Sequence, residues 1–221
     1  MKKYFALNFL SIFLFLVSMG QKNKTEYGIS GGVNINSAYG ESVNKDFKST
    51  LVGFSAGGSI KYNTSKHFGI KALLQYDQNG WAYRSLTLAT NTGNLIGKGD
   101  ILFKLNYLTL PLLAEYSFGN KIKFKTGAGI FVGLLLSNQV ITKVKEPYAP
   151  NNTPTTKSRS DYRRSANFGL SFGAGLQIPI SSAVKFDLGL RNNFGLANIY
   201  KGDATIKTNS FSIQTGFTFS K

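Results

Sequence analysis

The chain has no cysteine. That excludes disulfides, thiolate metal sites, thiol catalysis and a lipid-bearing lipoprotein cysteine. It has one histidine, His67, which leaves little for a Ser/His arrangement or a histidine-based metal centre. Acidic residues are few: 10 Asp and Glu against 26 Lys and Arg, a formal net charge of +16. Past residue 20 there is no apolar run long enough to suggest a spanning helix.

The amino terminus has the form of an export signal. Met1-Lys2-Lys3 is basic, Tyr4 to Val17 is almost wholly apolar, and Ser18-Met19-Gly20 supplies small residues for cleavage before Gln21. The apolar run is shorter than the ~20 residues of a spanning helix. Residues 1–20 are therefore read as a signal peptide and 21–221 as one exported domain. Export makes nucleic acid a poor match for the charge, and no basic helix or nucleic-acid motif is present. Anionic lipid head groups and phosphorylated glycolipid suit it better.

What the chain has in quantity is 24 Gly, 18 Phe and 11 Tyr in 221 residues, which favours an all-β unit. Its clearest stretch is Asn106 to Phe118, the turn Gly119-Asn120, then Lys121 to Leu136. Read with period two, Leu108, Leu110, Leu112, Ala114, Tyr116 and Phe118 share one side. Ile122, Phe124, Thr126, Ala128, Ile130, Val132, Leu134 and Leu136 continue it on the second arm. The same alternation marks strands from Tyr27 to Asn36, Val52 to Tyr62, Phe68 to Asp77, Asn167 to Ile178, Val184 to Gly195 and Phe211 to Ser220. Eight strands result, with long connections at 37–50, 78–101, 137–165 and 197–208 and short turns between.

Even strand number, with long and short connections alternating, predicts an eight-stranded antiparallel up-and-down transmembrane β-barrel in the outer membrane, its short turns in the periplasm. Each strand opposes an apolar face to one of Gly, Ser, Asn and Lys. A narrow interior takes the small and polar set, leaving the apolar set for lipid.

Tyr27-Gly-Ile-Ser-Gly-Gly-Val-Asn-Ile-Asn36, Asn106-Tyr-Leu-Thr-Leu-Pro-Leu-Leu-Ala-Glu-Tyr116, Gly169-Leu-Ser-Phe-Gly-Ala-Gly-Leu176 and Asp187 to Ile199 resemble the PorT-like outer-membrane β-barrel family of Bacteroidetes, in order along nearly the whole mature chain. The resemblance implies an outer-membrane location. Because the founding member is associated with protein secretion, it also implies an accessory role with secretion or envelope proteins. These motifs describe wall and turn rather than chemistry.

The candidate residues fall into three groups. Lys71, Asp77, Glu115, Lys121, Lys123, Lys125, Lys185, Asp187 and Arg191 are expected inside. Glu115 is expected to pair with Lys123 or Lys125, and Asp187 with Lys185 or Arg191. Pro111 on the same face is expected at a bulge or local break. Tyr27, Tyr62, Phe68, Tyr116, Phe118, Phe124, Phe186, Phe217 and Phe219 lie near the short-turn ends and are expected to form one interfacial girdle.

Lys143, Lys145, Lys157, Arg159, Arg163 and Arg164 form an outer cationic group suited to lipopolysaccharide phosphates, or simply a solvated charge run. His67 falls in a periplasmic turn, away from any outer-leaflet lipid, so no catalytic role is expected, and no cofactor or metal. The reading is a non-enzymatic barrel working through loops and turns; the alternatives are a narrow pore or ligand-binding barrel using the charged interior, and a soluble lipocalin-like barrel.

Overall fold

In the computed structural model the described residues are 25–44, 46–89, 95–145, 155–158 and 162–220, so the signal region and its cleavage point lie outside them. They form β1 (Thr25–Tyr39), β2 (Lys48–Ser49), β3 (Leu51–Asn63), β4 (Phe68–Ala89), β5 (Leu95–Phe118), β6 (Lys123–Lys145), β7 (Thr155–Ser158), β8 (Ala166–Pro179), β9 (Val184–Gly195) and β10 (Lys207–Ser220). Eight long strands pair antiparallel with their chain neighbours. β1 pairs with β10 from Glu26↔Ser220 to Tyr39↔Lys207, so the ring is closed. The two-residue β2 lies on β4, and the four-residue β7 on β6.

The alternation of the sequence becomes the inside and outside of this ring. On β1, Ile29, Val33 and Ile35 are 59%, 51% and 42% exposed, while the intervening Asn34 and Asn36 are 0% and 1%. Val52 and Phe54, Phe68 and Ile70, Phe168 and Phe172, and Phe211 and Ile213 repeat the exposed apolar pattern. Ser55, Gln75, Asp77, Ser171, Arg191 and Ser212 are buried on the opposite face. The molecule is thus turned inside out relative to a water-soluble barrel, as lipid requires.

The short turns are compact. Thr64 and Ser65 N–H groups both donate to Phe68 O, at 2.9 and 3.0 Å, and Ile180 N–H donates to Val184 O at 2.9 Å. Gly119 opens the β5–β6 turn with φ +106°, a conformation that favours glycine.

Two expected loops contain strand. The connection 78–101 is mostly the upper parts of β4 and β5, and 137–165 contains the top of β6 and all of β7. β4, β5 and β6 have 22, 24 and 23 residues, far above the ~10 that cross a bilayer as a tilted strand. Their upper ends stand beyond the hydrocarbon as a paired sheet. There the outward face no longer has to be apolar, so Gln78-Asn79-Gly80 and Lys98-Gly99-Asp100 break the alternation while the ladder continues.

Pro111 is buried but marks no bulge. The β4–β5 ladder passes from Ala72↔Leu112 to Gln75↔Thr109, an interruption beside Pro111 with unchanged register. Bulges lie elsewhere: in the β4–β5 ladder between Tyr83 and Leu86 and between Leu88 and Ala89, and in β6 at Leu136, between the pairs Asn106↔Ser137 and Tyr107↔Leu135, so Leu136 does not simply extend the face begun at Ile122.

Close backbone approach fixes some glycines. A Cβ at Gly129 would stand 1.9 Å from Leu112 O, whereas one at Gly173 meets nothing nearer than Leu190 O at 3.6 Å. Gly129→Ala is expected to cost about 1–3 kcal/mol by overpacking, and Gly173→Ala less than about 0.5 kcal/mol. Urea midpoints of the lipid-embedded barrel would compare them, and equal midpoints would contradict the packing.

Candidate functional site

The short-turn half of the lumen is an ionic layer. Lys61 Nζ donates to Glu115 Oε1 at 2.6 Å and to Ser117 Oγ at 3.2 Å. Lys61 is on β3 and Glu115 on β5, so the bond passes over β4. The residue in between is Gly69, where a Cβ would come within 2.7 Å of Lys61 Cε. Lys125 pairs with Asp187, which also accepts from the Thr218 hydroxyl and from Gln177 Nε2 at 3.2 Å. Lys185 Nζ is 2.5 Å from Glu26 Oε1, and Arg191 Nη2 is 3.7 Å from Asp77 Oδ1. The Asp77 carboxylate also accepts from the Thr109 hydroxyl.

These pairs replace the expected ones. Glu115 takes Lys61 rather than Lys123 or Lys125; Asp187 takes Lys125 rather than Lys185 or Arg191. Inward side chains converge on a narrow axis, so partners sit across the lumen as readily as on the next strand. Glu26 and Lys61 were missed by the sequence reading, although both occupy inward positions of the period-two pattern. Lys71 lines the same lumen. Lys123 is half-buried at the mouth, and Lys121 lies exposed in the turn rather than inside.

Above the ions is a layer of amides and hydroxyls that the sequence reading passed over. Asn34 Nδ2 donates to Phe54 O at 3.2 Å, and Asn36 Nδ2 to Leu51 O and Gln78 O at 3.1 and 3.0 Å. Gln214 Nε2 reaches Ser55 Oγ at 3.1 Å, Ser171 Oγ donates to Asn193 Oδ1 at 2.7 Å, and Asn167 Nδ2 bonds Thr208 Oγ1 at 2.9 Å. Asn and Gln at inward positions were the available signal. Some of these bonds run between paired strands, while Asn36 to Gln78, Gln214 to Ser55 and Asn167 to Thr208 join strands that are not neighbours in the sheet.

An apolar cap closes the outer end. Trp81, Leu105 and Tyr107 from β4 and β5, each 1% exposed, pack with Ala38 of β1 and with Val43, Ile199 and Ile206 from the connecting segments. Trp81 stacks on Phe103 with centroids 4.7 Å apart. The Arg163 guanidinium lies 4.8 Å from the Trp81 ring and 5.4 Å from those of Phe103 and Tyr200. Burial lowers the Arg163 pKa, with Tyr107 and Tyr200 opposing the shift. The segment is fastened by Arg164 N–H to Ile199 O at 2.9 Å and Lys201 N–H to Tyr162 O at 2.9 Å.

Arg163 is therefore a buried clamp and not the surface cation expected for lipopolysaccharide. Lys143 and Arg164 are exposed, Arg164 donating through Nε to Tyr200 O at 2.9 Å. Arg159 and the side chains of Lys145 and Lys157 lie outside the described residues.

Of the aromatics near the short turns, Tyr27, Tyr62, Phe68, Tyr116, Phe118, Phe124, Phe217 and Phe219 are exposed on the outer wall. Phe68 meets Tyr116 at 4.9 Å and Phe118 meets Phe124 at 5.4 Å, forming a row around that end. Phe186 is half-buried, edge-on to Phe217 at 5.8 Å. His67 is exposed in the turn after β3, its Nδ1 3.0 Å from Ser117 O.

A closed ring with apolar outer wall, polar lumen and short turns at one end defines an outer-membrane β-barrel protein. The chain belongs to the outer membrane protein beta-barrel domain family, whose model matches residues 19–201. Among solved structures it is similar to the outer membrane protein OprG from Pseudomonas aeruginosa, with 11% identity, TM-score 0.50, and 90% of this chain and 97% of that chain covered. It is also similar to Neisserial surface protein A, with 16% identity, TM-score 0.45, and 88% and 97% covered. No curated protein matches the chain in sequence.

Glu115→Ala would strand the Lys61 ammonium and is expected to cost about 3–5 kcal/mol, with a Lys61→Met/Glu115→Leu double variant recovering more than half. Denaturant unfolding of the three proteins would measure this; additive losses would contradict coupling. Arg163→Ala is expected to cost about 1–2 kcal/mol and to speed proteolysis at 162–165 and 196–206. An unchanged cleavage pattern would refute the clamp.

Proposed function

We propose that this protein is a non-enzymatic outer-membrane barrel that acts through its surfaces rather than by passing solutes. The observation that carries this reading is the combination of the apolar cap beneath Arg163 with three strands that continue past the membrane. A lumen stoppered by Trp81, Leu105 and Tyr107 and crosslinked by four ion pairs suits a rigid holder for an outer platform built from β4, β5, β6 and β7. The exposed cations Lys143 and Arg164 favour lipopolysaccharide phosphates at the rim of that platform. The aromatic row from Tyr27 to Phe219 suits the periplasmic lipid interface. The PorT-like resemblance narrows the role to an accessory of secretion or envelope proteins, reached through the platform or the periplasmic turns.

In planar bilayers the wild-type barrel is expected to give conductance at or near baseline, and a steady open level would refute closure. Loss of secretion or of surface proteins in a deletion strain would support the accessory role, and normal levels of both would remove it.

A further inference from the structure

In the short-turn half of the lumen each of four carboxylates holds one cation: Glu26 with Lys185, Asp77 with Arg191, Glu115 with Lys61, and Asp187 with Lys125. Lys71 is left over deep in the lumen, as Lys123 is at the mouth, with no acidic oxygen within 4.0 Å among the described residues. Arg191 is held more loosely than the paired lysines. Its contact with Asp77 is 3.7 Å, too long for a hydrogen bond, and Nε, Nη1 and Nη2 find no acceptor on the protein although the residue is only 4% exposed. A buried guanidinium with its donors unused is costly unless something accepts from it.

Lys71 and Arg191 line one cavity of about 90 Å³, with Ser30 and Gln214 also on its wall. Glu115 and Asp187 border it too, but each is already neutralised by a lysine. Leu73 and Leu113 are also on the wall, as are Gly173 and Gly189, and a Cβ on either glycine would meet nothing nearer than 3.6 and 3.5 Å, so the space beside them is kept open by the lack of side chains. Such a volume holds several waters or one small anion.

We propose that this cavity binds a small inorganic oxyanion of phosphate size, held between the Arg191 guanidinium and the Lys71 ammonium. The planar fork of an arginine matches two oxygens of such an anion, and the lysine supplies a second, point-like positive charge. The site lies in the half of the barrel nearest the short turns, so it is independent of the outer surface and of the cap.

The test is calorimetric titration of the full mature barrel, folded in zwitterionic detergent, with inorganic phosphate at constant ionic strength. Folding is checked by heat-modifiable electrophoretic mobility. Wild type is expected to show one saturable site. Lys71→Gln is expected to weaken it at least tenfold, and Gly173→Ala/Gly189→Ala, which narrows the cavity while keeping every charge, at least threefold. No saturable heat in wild type would overturn the proposal, as would equal affinity in Lys71→Gln. Chloride binding as tightly as phosphate would overturn the oxyanion assignment. Should Lys71→Gln fail to fold, the glycine variant decides: unchanged affinity there rejects the site. Failure of this test would leave the conductance result unaffected, because closure of the lumen rests on the outer cap.

Discussion

The structure depends on the rule that no backbone N–H or C=O may remain unpaired in hydrocarbon. A sheet satisfies it only by closing, which the β1–β10 ladder accomplishes over fourteen consecutive residue pairs from Glu26↔Ser220 to Tyr39↔Lys207. Closure then imposes two unlike faces on every strand. The outer face carries Ile29, Val33, Phe54, Ile130 and Phe172 because lipid favours such residues, while the inner face must fit a narrow tube. The interruption of the β4–β5 ladder falls beside Pro111, which has no N–H to give to a ladder and is itself buried.

The lumen solves a second problem, that of holding charge away from water. Ion pairs, amides and an apolar cap follow one another from the short turns outward, and each layer joins strands that are not neighbours in the sheet. Lys61 reaching Glu115 over Gly69 is the clearest case, since the glycine leaves the path that the lysine stem occupies. Such crossings convert a ring of ladders into a solid body, which is what a platform at the outer end needs.

Much of this was legible in the sequence because lipid exerts a simple demand. Ile29, Val33 and Ile35 alternate with Asn34 and Asn36, which marks the strand, and the small and polar set suits a narrow interior, which sets the facing. The demand stops at the membrane surface. The tops of β4, β5 and β6 therefore read as loop, although Trp81↔Phe103 and Lys98↔Lys145 remain paired. Inward charge was also legible, as with Lys125, Asp187 and Arg191. Partner choice was not, since Lys61 and Glu115 are 54 residues apart and meet only through the curvature of the wall. Arg163 was misplaced on the surface because nothing local to it announces Trp81, Phe103 and Tyr200.

The absence of native cysteine offers a direct examination of the inside-out assignment. Single cysteines at Ile29, Phe172 and Ile213, and at Ser171 and Gln75, would carry spin labels in the barrel reconstituted into lipid. Accessibility to oxygen dissolved in the bilayer should be high at the first three positions and low at the last two. Oxygen accessibility that is highest at Ser171 and Gln75, with Ile29, Phe172 and Ile213 shielded, would contradict a lipid-facing apolar wall.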